Sequence, residues 1–91
     1  MKIACIHTSN VSYYELKKLF ADTAPEVELM NIVDDSLLEE VKTVGHITPA
    51  IISRMCTYFK VAESLGADLI FNQCSSVGEA SDIASKCVNV P

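Results

Sequence analysis

No two cysteines in this chain form a CxxC pair, although it holds four: Cys5, Cys56, Cys74 and Cys87. Zinc sites and thioredoxin-type redox motifs need such close spacing, and neither His7 nor His46 lies near a paired-cysteine spacing. A metal site is therefore not expected. Basic residues are few, seven against twelve acidic, and only Lys17 and Lys18 are adjacent. Binding phosphate chains needs clustered cations, so a net charge of −5 argues against nucleic acid and anionic membranes as partners. No apolar run reaches bilayer-spanning length, and MKIACIHTSN lacks the long apolar core of a signal peptide. Without secretion a disulfide framework is not expected either. Internal repeats and low-complexity linkers are absent. What these exclusions leave is a soluble cytoplasmic protein. Its 91 residues, 49% apolar and 21% charged, suit one small folded domain.

Taken in order, residues 2–7 (KIACIH) form a short apolar run typical of a buried parallel strand. The polar loop Thr8-Ser9-Asn10 follows. Ser12 and Glu15, three apart, make a capping box for a helix that runs to about Ala24, before Pro25. Residues 27–33 (VELMNIV) read as a second strand. Asp34-Asp35-Ser36, with Glu39 three beyond Ser36, starts a short amphipathic helix that Gly45 stops. Thr48 as N-cap and Pro49 at the first helical position open the longest helix, with Ile51, Ile52, Met55, Phe59, Ala62 and Leu65 on one wide face. Gly66 ends it. Residues 68–73 give a third strand, Ser76 and Glu79 cap a short helix to about Lys86, and residues 88–91 (VNVP) begin a fourth strand.

Strands alternating with helices in this way imply an α/β fold: an open parallel sheet in three layers, with flanking helices and flavodoxin-like topology. In strand order 2-1-3-4 the switch point falls between the first and third strands, and ligands bind there beyond the carboxyl ends. Two loops would meet at that crevice. One carries His7, Thr8, Ser9 and Asn10; the other carries Cys74, Ser75 and Ser76.

Cys74 stands apart from the other three cysteines, which read as small reduced core or surface residues. In FNQCSSVGE an apolar strand turns polar, presents a thiol and two hydroxyls, then enters a helix. Backbone amides and the helix dipole at such a place favour a thiolate and an anion. Three chemistries fit: a covalent nucleophile, a redox thiol, or an acid–base cysteine working at a carbon next to a carboxylate.

The stretch GADLIFNQCSSVG, residues 66–78, resembles the first catalytic segment of the aspartate/glutamate/hydantoin racemase superfamily. The opening strand with its polar loop and the GHITP lead-in to the long helix, residues 45–49, are similar too, so the likeness spans essentially the whole chain. It implies racemisation or epimerisation, without a cofactor, at the α-carbon of an acidic amino acid or related compound. Two cysteines on opposite sides of the substrate act as paired bases in that family, and Cys74 matches the first. Ser75 and Ser76 match positions that hold the substrate carboxylate. Thr8 and Ser9, with Asn10 beside them, match the first-strand loop.

By this resemblance residues 1–91 are the N-terminal lobe of a two-lobe, pseudo-symmetric enzyme, truncated at the start of the fourth strand. The C-terminal lobe with the opposing thiol is then a missing partner, and a homodimer is an open option. Within the family, a cis–trans isomerase or a decarboxylase is an alternative. Outside it, the alternative is a flavodoxin-like module for phosphate or FMN, although the loop after the first strand has no glycine where backbone must approach a phosphate. Other features have simpler explanations: His7 bonded to backbone, His46 solvated, and Tyr13, Tyr14 and Tyr58 as helix packing.

Overall fold

Lys2–His7 forms strand β1, as expected, and residues from Ile3 to His7 are buried. A strand that is covered on both faces reads as a continuous apolar run, and β1 is such a strand because it is central. In the computed structural model, which describes residues 1–8, 10–72 and 78–91 (the backbone alone at 10–12 and 79), it pairs in parallel on both sides. Its neighbours are β2 (Glu28–Val33) and β3 (Leu69–Asn72), in the order β2-β1-β3. The register sets Ala4 opposite Met30 and Ile70, and Ile6 opposite Ile32 and Asn72.

Helices flank both faces of this open sheet. Helix α1 spans Asn10–Thr23, α2 Ser36–Val44, α3 Pro49–Ser64 and α4 Gly78–Ala84, followed by a 3-10 turn at Ser85–Cys87. On one face Ala4, Ile6 and Ile70 meet Leu37 of α2, Ile51, Met55, Phe59 and Ala62 of α3, and Ala80 and Ala84 of α4. On the other, Ile3, Cys5, Leu69 and Phe71 meet Leu16, Leu19 and Phe20 of α1. The wide apolar stripe of α3 holds the first face together. Each fully buried Ile, Met or Phe contributes about 1.5–3 kcal/mol, several times any difference in helix propensity.

The ends of α2 and α3 follow from local chemistry. Gly45 adopts φ +86°, which glycine reaches without a Cβ penalty, and its N–H closes on the Val41 carbonyl at 2.7 Å. Thr48 Oγ1 accepts the Ile51 N–H at 3.2 Å, and Pro49 fills the first helical position, where no N–H is needed. Both signals stand in the sequence, and both act as expected.

Other boundaries differ from expectation. Helix α1 begins at Asn10, so Ser12 lies inside the helix instead of capping it. Hydroxyl and amide residues crowd residues 8–12 and offer several competing start signals. In α2, Ser36 is the first helical residue and Asp35 the N-cap, without a side-chain cap bond. Asp34 replaces the expected Ser36–Glu39 box: its Oδ1 accepts the Ser36 N–H at 2.9 Å and the Ser36 hydroxyl at 2.5 Å. Strand β3 starts one residue later than expected, because the Asp68 carboxylate and N–H are engaged by the backbone of Lys2. Gln73 and Ser76, expected at the end of that strand and as the cap of α4, lie outside the described residues.

Residues 88–91 form no strand. Val88 and Val90 pack against the core below α3, and the Asn89 N–H donates to Glu63 Oε2 at 2.8 Å. That carboxylate takes a donor which sheet pairing would have used, and this segment adds no fourth strand beside β3.

Candidate functional site

Two adjacent parallel strands deliver the segments that follow them to the same edge of the sheet. Strand β1 ends at His7 and β3 at Asn72, with Ile6 directly opposite Asn72. Helix α1 carries the chain from β1 to β2 over one face, and α2 and α3 carry it from β2 to β3 over the other. The reversal between β1 and β3 is a switch point, where neighbouring connections part and leave a crevice. Thr8 follows β1 at that edge and is buried, with 5% exposure. Asn10 opens α1 through its backbone. Ser9, Cys74, Ser75 and Ser76 lie outside the described residues.

His7 is fully buried on the α1 side of the sheet. Its Nε2 lies within hydrogen-bond distance of Oδ1 of Asn31, at 2.8 Å. A side chain on β2 is thus its partner at that nitrogen. The Tyr13 ring meets the imidazole edge-on, at 6.1 Å between centroids and 79° between planes. Lys17 Nζ sits 5.8 Å above the Tyr13 ring, within cation–π reach. Tyr13, Lys17 and Asn31 also line a cleft of about 620 Å³ between α1 and β2. Sequence reasoning took Tyr13 as packing and passed over Asn31. Only the alternation of β2, which puts Asn31 on one face with Leu29 and Val33, carried a hint of it.

A second polar cluster closes the carboxyl end of β2. Asp34 Oδ2 accepts the Tyr58 hydroxyl, and Arg54 reaches Ser36 Oγ at 2.6 Å and Glu40 Oε1 at 2.7 Å. Glu40 Oε2 accepts the Thr48 hydroxyl at 2.7 Å. Burial pushes Asp34 up, but Ser36, Tyr58 and the Arg54 charge together hold it below the usual carboxylate range. The Thr48 hydroxyl, then Arg54, likewise hold Glu40 down against its desolvation. Tyr58 is pushed up to about 12, by burial first and then by the Asp34 carboxylate. These groups satisfy one another, and among the described residues no buried side-chain nitrogen or oxygen lacks a partner. The cluster docks α2 and α3 on β2; it is built to hold, not to react.

The other aromatic and thiol groups divide simply. Tyr14 is 64% exposed and lies outside the core, with its ring 5.0 Å from that of Tyr13, and His46 is exposed as expected. Cys5 is buried, and its burial pushes the thiol up to about 11, which makes it inert at neutral pH. Cys56 and Cys87 are free thiols as well. Among the described residues no three His, Cys, Asp or Glu side chains could hold a metal ion, and no helix is long and apolar enough to cross a membrane. Set against known proteins, the chain matches no family model, no curated protein and no solved structure.

Proposed function

We propose that this chain is the first lobe of a cofactor-independent racemase or epimerase of the aspartate/glutamate racemase type. Cys74 is one of its two acid–base thiols. The observation that carries the reading is the shared carboxyl edge of β1 and β3, with Ile6 opposite Asn72 and Thr8 buried beside it. A thiol that follows β3 and hydroxyls that follow β1 then belong to one crevice. In finer detail, the order β2-β1-β3 is the start of a flavodoxin-like 2-1-3-4 arrangement.

The substrate is an acidic amino acid or a related carboxylate. Ser75 and Ser76, with Thr8, Ser9 and Asn10, hold its carboxylate by hydrogen bonds, and Cys74 as thiolate takes the α-proton. Inversion needs a second base on the opposite face of the α-carbon. Cys5 is buried under α1, and Cys56 and Cys87 lie against each other on the α3 side, so none of these three follows β1 or β3 at their carboxyl ends. The opposing thiol comes from a second lobe.

Two measurements test the reading. Iodoacetamide is expected to alkylate Cys74 well before Cys5, and aspartate or glutamate to slow that alkylation several-fold; equal rates without protection would overturn the site. In D₂O the 91-residue chain alone is expected to exchange little or no α-proton of either amino acid. Exchange by this chain that disappears in Cys74→Ser would overturn the requirement for a second thiol.

A further inference from the structure

Cys56 lies on α3 and Cys87 ends the 3-10 turn after α4, 31 residues apart in sequence, yet their sulfurs are 3.3 Å apart. A disulfide needs about 2.05 Å, so the two atoms must close by roughly 1.3 Å. Small side-chain rotations supply that, and the backbone is already held in place. Ala80 and Ala84 of α4 are buried in the core against α3, and the Asn89 N–H is bonded to Glu63 of α3 at 2.8 Å. The turn that carries Cys87 is thus tethered to α3 on both sides. Cys87 is exposed and Cys56 partly buried, so a reagent in solution reaches the pair through Cys87. The hydrogen bond from Cys87, then burial, hold the Cys56 thiol above its ordinary range, with the charge of Lys60, one turn on, opposing them.

We propose that Cys56 and Cys87 are a reversible disulfide site that takes a low-molecular-weight disulfide, such as oxidised glutathione, as its oxidant. The Cys87 thiolate attacks one sulfur of the reagent; the reagent's S–S bond breaks and one thiol leaves. The Cys56 thiolate then attacks the Cys87 sulfur of the mixed disulfide and displaces the second thiol. Two protein thiols lose two hydrogens in all, and one reagent disulfide becomes two thiols. An excess of reduced thiol runs the sequence backwards. The closed loop runs from α3 through β3 and residues 73–77 to the end of α4. Oxidation therefore staples α4 to α3 and restricts the unfolded chain. None of this depends on the function proposed for Cys74.

The test equilibrates the reduced chain with oxidised glutathione, quenches with acid, unfolds the protein and alkylates what remains. Cys56 and Cys87 are both expected to stay unalkylated, with a proteolytic fragment linking Cys56 to Cys87. Cys56→Ser and Cys87→Ser are each expected to lose that link and to keep a glutathione adduct on the remaining member of the pair. The oxidised wild type is expected to melt several degrees higher than the reduced form, and dithiothreitol to reverse this. Alkylation of both Cys56 and Cys87, a glutathione adduct on either without a bond between them, or a link that involves Cys74 would each overturn the proposal.

Discussion

Tyr58 of α3 donates its hydroxyl to Oδ2 of Asp34, the residue directly after β2. A helix is thereby tied to the carboxyl end of a strand by a bond to a charged acceptor. Asp34 accepts from Ser36 at its other oxygen, and Arg54 joins Ser36 to Glu40. The carboxyl end of the sheet thus has a rigid shoulder at β2, beside the crevice between β1 and β3.

Tyr58→Phe removes that bond with little change of shape. Hydrogen bonds to charged groups contribute about 1.5–3 kcal/mol, and a loss of that order is expected in urea unfolding at pH 7. The alkaline limb gives a second readout. With Tyr58 raised to about 12 in the fold, its contribution is complete below the ordinary tyrosine value of about 10 and fades as pH rises through 12. The phenylalanine variant does not titrate there, so its stability should fall less across that window. Cys5, raised to about 11, contributes the same decline to both proteins.

Acid acts through Asp34 and Glu40, both held below their ordinary range. Groups with depressed folded values stabilise the fold above the unfolded value, about 4 for carboxylates, and lose that contribution as pH falls further. Arg54→Met relaxes both carboxylates toward ordinary behaviour. The variant is expected to be less stable at pH 7 and to show a shallower loss below pH 4, measured by urea unfolding over pH 2 to 7.

Thr48 both caps α3 and donates to Glu40. Thr48→Ala is expected to cost about 1 kcal/mol, within the 0.5–2 range of lost N-caps, while Thr48→Ser keeps most of it. Thermal unfolding distinguishes the two variants.

Core position separates Met55 from Leu19. Met55 is fully buried between α3 and the sheet, whereas Leu19 of α1 is 53% exposed. Met55→Ala is expected to destabilise by about 2–5 kcal/mol, and Leu19→Ala by a fraction of that. Comparable losses would mean that the two helices share the core equally.

Where a boundary depends on neighbours in sequence, it was legible. Residues 2–7, the Thr48-Pro49 start and the glycines after α2 and α3 fall where their local chemistry puts them. The start of α1 was misread because several capping residues compete there, and the expected strand at 88–91 because Glu63, on a different element, takes the Asn89 N–H. Pairings of distant residues left no local mark. His7 with Asn31 and Cys56 with Cys87 join residues 24 and 31 apart, and neither could be read from spacing. Of the candidate site, the adjacency of the β1 and β3 ends followed from the alternation of strands and helices. Thr8 stands at that edge, whereas Ser9, Cys74, Ser75 and Ser76 lie outside the described residues.

Helix α1 has a cleft on each flank, about 620 Å³ toward β2 and about 270 Å³ toward β3. The α2–α4 side has its large apolar side chains locked together, so the two faces of the sheet differ in how readily they come apart. The α1 face is expected to open more readily than the other, so that amides of α1 exchange with solvent sooner than those of β1 and α3 in a native-state exchange experiment. Cys5 lies under that helix, at 1% exposure. The rate at which its thiol is trapped in the native protein is then expected to report the departure of α1.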